Sequence, residues 1–258
     1  MKNKKIALAL SLVLALGATL MVGGSLAWFT DTDEATNTFT MGSVEIKQIE
    51  TNQDGTPFSS DQPLIPAVSN ATITPTDDPN FIHKIVTVKN VGTSTAYVQT
   101  CIAVPKALDN GLLKWDVNLD DGHWKAVDGD LNVDGIQPVG TADYDLDGNG
   151  SKEANALNVY LYRYTAALEK DKATTTLLNG VYIDETADMK AHHDDAEHPD
   201  KVTSAYFVWK GSELTDYNLT AIKKLTVLVA TQGVQADGFA DADNALATAF
   251  PNHPWANN

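Results

Sequence analysis

Ile85-Val86-Thr87-Val88-Lys89-Asn90-Val91-Gly92-Thr93-Ser94-Thr95-Ala96-Tyr97-Val98-Gln99-Thr100-Cys101-Ile102-Ala103-Val104 is the stretch whose reading decides the fold. Both halves are rich in β-branched residues, which pack well on a pleated surface, and neither shows a helical period. Asn90-Val91-Gly92 between them is turn chemistry and predicts that the chain doubles back into an antiparallel pair. The same signature recurs at 39–49, 158–164, 177–183, 204–210 and 225–235, each bounded by turn residues. Along 158–164, Tyr160, Tyr162 and Tyr164 share one face and Val159 and Leu161 the other. Many short strands without interleaved amphipathic helices predict an all-β chain, a jelly-roll-like β-sandwich. Two stretches, 107–157 and 184–203, read as long acidic loop insertions, because Asp, Asn, Gly and His crowd out the strand pattern. Near the end, 241–250 reads as a short helix capped by Asp241 and stopped by Pro251.

The first residues have a separate character. Lys2, Lys4 and Lys5 precede a run of 17 apolar and small residues, 6–22, and then Gly23-Gly24-Ser25-Leu26-Ala27. That layout is a secretory signal, with small residues where a signal peptidase cuts. The run is short beside the about 20 residues of a bilayer-spanning helix. Residues 1–27 are therefore expected to be removed after Ala27, leaving Trp28 first and 28–258 as a single sandwich domain without a stable membrane span. The signal takes three lysines and no acids, so 18 − 3 = 15 basic residues face 34 acidic ones, a mature net charge of −19. Such a surface repels nucleic acid. Cys101 is the only cysteine, so no intrachain disulfide can form, and its apolar neighbours make it a buried small hydrophobe.

Candidate chemistry sits in the acidic stretches. Asp143-x-Asp145-x-Asp147-Gly148-Asn149-Gly150 places oxygen ligands at every second position around a tight turn, as a Ca²⁺ loop does. Counting from Asp143 puts Ala154 at the twelfth position, and counting from Asp145 puts Glu153 at the ninth, so neither register completes an EF-hand. Asp143, Asp145, Asp147, Asn149 and Glu153 are the candidate ligands. No cofactor is required by any motif, and Ca²⁺ is the ion these loops could hold. The run His192-His193-Asp194-Asp195-Ala196-Glu197-His198 lacks the His-Glu-x-x-His order of helical zinc proteases, and Pro199 would truncate such a helix. No nucleophile elbow, phosphate loop or dinucleotide fingerprint occurs, so no catalytic residue is assigned. The five tryptophans could stack on carbohydrate or fill the core.

The junction Gly23-Gly24-Ser25-Leu26-Ala27-Trp28-Phe29-Thr30-Asp31 resembles the signal of the TasA and camelysin family, exported proteins of Gram-positive bacteria. Asn37-Thr38-Phe39-Thr40-Met41-Gly42-Ser43-Val44-Glu45-Ile46 is similar to its first strand motif, and Val88-Lys89-Asn90-Val91-Gly92 to its next pair. Val229-Ala230-Thr231-Gln232-Gly233-Val234 resembles its closing strand. The resemblance implies a jelly-roll domain, cleavage by a SipW-type signal peptidase, and a place in the extracellular matrix or on the cell surface. It further implies assembly into biofilm-matrix fibres, in which the freed N-terminal segment adds a strand to another copy or a related matrix subunit. Here the donor strand would be 28–39, with Trp28, Phe29, Thr30, Asp31 and Phe39. A strand added to an open edge satisfies main-chain groups while alternate side chains set the register. The rival readings are a secreted camelysin-like metalloprotease and a Ca²⁺-dependent surface-binding module.

Overall fold

The computed structural model describes residues 43–59, 66–67, 75–129, 135–146, 149–192, 204–209, 212–214 and 226–256, with side chains at 189–214 left aside. In chain order the strands are β1 (Ile46–Thr51), β2 (Ile82–Asn90), β3 (Ala96–Pro105), β4 (Leu113–Val117), β5 (Trp124–Val127), β6 (Gly140–Tyr144), β7 (Glu153–Tyr164), β8 (Leu178–Ile183), β9 (Asp188–His192), β10 (Ser204–Trp209), β11 (Ser212–Leu214) and β12 (Leu228–Gln235). One helix, α1 (Ala242–Ala249), follows. The first sheet runs β1-β2-β8-β4 and the second β12-β3-β7-β5, with β6 also on β7; β11-β10-β9 form a small third sheet. All named pairs are antiparallel.

The two larger sheets make an all-β sandwich, and the sequence dictates the faces they bury. Along β2 burial alternates strictly, with Ile82, Lys84, Val86, Val88 and Asn90 inward. From the first sheet Val86, Val88, Leu113, Val181 and Ile183 meet Val98, Ile102, Val104, Val229 and the three tyrosines, Tyr160, Tyr162 and Tyr164, in one cluster. Each such side chain contributes about 1.5–3 kcal/mol on burial. Val159 and Leu161 point the other way and pack with Cys101, Ala103, Leu157, Leu228 and Trp255. The second sheet is thus buried on both faces. That explains why β3 is buried at nearly every position rather than at alternate ones.

Helix α1 closes part of the outer face of that sheet. Ala245, Leu246 and Phe250 pack on Val234 and Tyr97. The expected cap is present: the Asp241 carboxylate accepts a hydrogen bond from the amide of Asn244 at 2.8 Å. In the first turn Asp243 accepts from Arg163 Nη1 (3.0 Å) and Lys125 Nζ (3.3 Å), tying the helix to β7 and β5.

Two expectations are corrected. The stretches on either side of Asn90-Val91-Gly92 do not pair: β2 lies between β1 and β8, and β3 between β12 and β7. The segment is an arch between sheets, and Asn90 makes it one. Its side chain is fully buried. It donates to the carbonyls of Ser94 and Leu168, both at 2.8 Å, and accepts from the amide of Gly92 at 3.0 Å. Those bonds turn the main chain out of one sheet before a ladder with β3 can begin. Gly92 is required there by space, since a Cβ would lie 2.5 Å from the carbonyl of Ser43 and 2.6 Å from the amide of Glu45. The second correction concerns 107–157, which is not loop throughout: β4 forms an edge of the first sheet, and β5 and β6 line the outer edge of β7. Leu113-Lys114-Trp115-Asp116-Val117 alternates as a strand should, but its charged positions resemble the surrounding acidic turns. Likewise β9 begins within 184–203.

Asn90→Ala would remove three hydrogen bonds of a buried carboxamide, each contributing about 0.5–1.5 kcal/mol, although the Leu168 carbonyl keeps the Ala96 amide and the Gly92 amide keeps the Glu45 carbonyl. Unfolding in guanidinium is expected to show a loss of about 3 kcal/mol or more, and a loss below about 1 kcal/mol would contradict the role given to this side chain. Acid should loosen α1. The Arg163 hydrogen bond holds the Asp243 carboxyl below its usual value against partial burial, with Lys125 adding to the effect. A carboxyl whose folded value is lowered stabilises above its unfolded value, about 4, and that contribution fades as pH falls through the folded value. Hydrogen exchange at the Ala245 and Leu246 amides should therefore accelerate below about pH 4, and Asp243→Asn should remove the pH dependence.

Candidate functional site

Three regions carry the candidate chemistry: the start of β1, the seam between β1 and β12, and the 143–155 loop. The residues assigned to cleavage and strand donation, Ala27, Trp28, Phe29, Thr30, Asp31 and Phe39, lie outside the described residues. The point from which that segment runs is described. The amides of Val91 and Gly92 donate to the carbonyl of Glu45 (2.9 Å each), and those of Thr93 and Ser94 to that of Ser43 (3.0 and 3.3 Å). The arch between the sheets therefore grips the chain just before β1.

β12 pairs with β3 over its full length, Leu228 opposite Ala103 through to Gln235 opposite Ala96. Among the described residues it has no other strand partner. Its sequence, Leu-Val-Ala-Thr-Gln-Gly-Val-Gln, holds no charge and no proline, the usual devices that blunt an edge. β1 is the corresponding edge of the first sheet, and the two meet through inward side chains. A Cβ on Gly233 would approach within 2.9 Å of Ile46, so glycine is what lets the strands come together.

A buried polar chain crosses this seam. Gln48, Lys84, Thr100 and Thr231 are all buried. Lys84 pairs with the carboxylate of Glu50. Gln48 Nε2 donates to Glu50 Oε1 at 2.8 Å and to the carbonyl of Val229 at 3.2 Å. Thr231 Oγ1 donates to Gln48 Oε1 at 2.7 Å, and Thr100 Oγ1 lies 3.0 Å from Thr231 Oγ1. Sequence reading missed these residues because Gln48 and Thr231 are 183 positions apart. The available signal was a polar side chain at the buried phase of each strand.

In the 143–155 loop the candidate ligands hold the loop's own amides. Asp143 Oδ1 accepts from Asn155 (2.8 Å), Asp145 Oδ1 and Oδ2 from Asn149 (3.0 Å) and Gly150 (2.7 Å), and Glu153 Oε2 from Leu146 (2.8 Å). Asn149 Oδ1 accepts from Ser151 at 2.7 Å. Asp147 lies outside the described residues. Among those described, no group of three or more His, Cys, Asp or Glu is placed to hold a metal ion. His192 ends β9, and 193–198 lies outside the described residues. Trp124 is buried and donates to the carbonyl of Thr175 at 3.0 Å, Trp115 donates to Tyr162 Oη at 3.3 Å, and Trp255 packs under the outer cluster, so these three serve the core. Burial pushes the Cys101 thiol up to about 12, against a small opposing effect of Arg163, and fits an inert buried thiol.

A family model, camelysin metallo-endopeptidase, matches residues 2–53. No curated protein and no solved structure matches the chain. No helix among the described residues is long and apolar enough to cross a membrane. The matched stretch covers the expected signal and cleavage junction and all of β1, and it contains neither histidine nor cysteine. Over this N-terminal region, residues 2–53, the chain is similar to the camelysin family.

Proposed function

We propose that this is an exported structural protein whose N-terminal segment, freed by cleavage after Ala27, adds as a strand to the sandwich of another copy or a related matrix subunit and so builds extracellular fibres. The observation that carries the reading is the pairing of β12: eight residues, uncharged and without proline, laddered to β3 and to no other strand among the described residues. Such an edge offers main-chain donors and acceptors to an incoming strand. The family match supports export, because it begins in the leader and runs through the junction. The grip of 91–94 on Ser43 and Glu45 supports donation, since it anchors the chain just before β1. Cleavage would then act as timing, withholding Trp28 and Phe29 until the chain is outside.

The metallo-endopeptidase in the family's description is the rival. Residues 2–53 supply no metal-binding side chain of the His or Cys type, so that activity would have to reside elsewhere in the chain.

Purified residues 28–258 are expected to form filaments by electron microscopy, and the same protein lacking 28–38 is expected to stay monomeric with an unchanged circular dichroism spectrum. Light scattering that finds the full segment monomeric at every concentration, alone and with matrix partners, would overturn the proposal. In a casein assay no chelator-sensitive cleavage is expected; cleavage abolished by chelation would favour the rival.

A further inference from the structure

We propose that Gln48 and Thr231 form an intramolecular ester that joins β1 to β12 and closes the sandwich covalently. The pair lies on the inward faces of the two edge strands, with 6% of each residue exposed. Thr231 Oγ1 is 2.7 Å from Gln48 Oε1, so a small turn of the carboxamide brings the hydroxyl oxygen against Cδ. Holding the hydroxyl in hydrogen-bond contact with the carboxamide removes much of the entropy cost of the step.

The neighbours supply the rest. Thr100 Oγ1, 3.0 Å away, fixes the hydroxyl from the β3 side. Glu50 Oε1 sits 2.8 Å from Gln48 Nε2, the atom that must leave, and Lys84 pairs with that same carboxylate. Lys84, Glu50 and Nε2 thus form a line along which a proton reaches the departing nitrogen. The bond from Thr231 Oγ1 to Gln48 Cδ forms, the bond from Cδ to Nε2 breaks, and the hydroxyl proton ends on nitrogen, which departs as ammonia. Nothing is oxidised or reduced and no co-reactant is needed. Water excluded from this interior cannot hydrolyse the product.

The location gives the bond its value. β1 and β12 are edges of different sheets, held together across the seam by side chains rather than by a ladder among the described residues. The only cysteine is buried in the other face of the second sheet, so a disulfide cannot serve. A link from residue 48 to residue 231 encloses most of the chain, the arrangement that most restricts the unfolded state. The other reactive pair, Lys84 with Glu50, would join β1 to β2, which already share six paired positions.

The test is the intact mass of purified, folded 28–258 kept at neutral pH until it stops changing. The expected mass is lower than the sequence by one ammonia, with a proteolytic fragment linking the strand of Gln48 to that of Thr231. Alkaline hydroxylamine should cleave the link. Thr231→Val should show the full mass, Thr231→Ser should still lose ammonia, and Glu50→Gln should slow the loss at least tenfold. A folded wild-type protein at full mass overturns the proposal, as does loss of water mapped to Lys84 and Glu50. Because mass is read on the denatured chain and needs no filaments, the result is independent of the fibre reading.

Discussion

One buried amide side chain decides the layout. Asn90 ends β2 with every polar atom of its carboxamide engaged, by Ser94 and Leu168 on the donor side and Gly92 on the acceptor side. Its main chain bonds to the 171–172 segment as well, with the amide donating to Lys172 and the carbonyl accepting from Asp171. A buried amide group with no partner is costly, so the arch can take one shape only. That shape sends the chain from the first sheet to the second, makes β3 the centre of a sheet buried on both faces, and leaves β1 and β12 as facing edges. The grip on Ser43 and Glu45 follows from the same arch.

Strand content was legible because burial writes itself as alternation or as apolar runs. The alternation in β7 assigned Tyr160, Tyr162 and Tyr164 to one face and Val159 and Leu161 to the other, as found. Asp241 announced the helix cap. Pairing was not legible, since Asn90-Val91-Gly92 reads the same whether it turns a hairpin or an arch; what separates them is the partner of the Asn90 side chain, and Leu168 is 78 residues away. β4, β5 and β6 were hidden because short strands at an edge carry charge on their open face, and Lys114, Asp116 and Lys125 look like loop in isolation.

The candidate site divides along the same line. Local chemistry such as the acidic loop could be read, and the structure adds that Asp143, Asp145 and Glu153 hold amides of that loop. The polar chain across the seam could not be read, because it is assembled from β1, β2, β3 and β12, whose members are far apart in sequence. A buried ion pair such as Lys84 with Glu50 is a weak source of stability, as desolvation offsets the attraction. Hydrophobic residues there would hold the seam as well, so a purely structural account leaves the choice of Lys, Glu, Gln and Thr in one connected line without a cause. Reactivity supplies one.

The two proposals draw on different atoms of β12. Strand addition uses main-chain amides and carbonyls at the sheet edge, whereas the ester uses the Thr231 side chain, which points between the sheets with Val229. An edge that must accept a strand faces a conflict, because a strand loose enough to meet a partner is also loose enough to peel from β3. Anchoring Thr231 to Gln48 through the interior resolves it. The strand is held from behind, its register with β3 is preserved, and its outward main-chain groups are left to the incoming segment. A covalent hold of that kind would matter most in a fibre, where pulling on the N-terminal segment loads β1 first and the edge that receives the next subunit is the strand β1 would be bonded to.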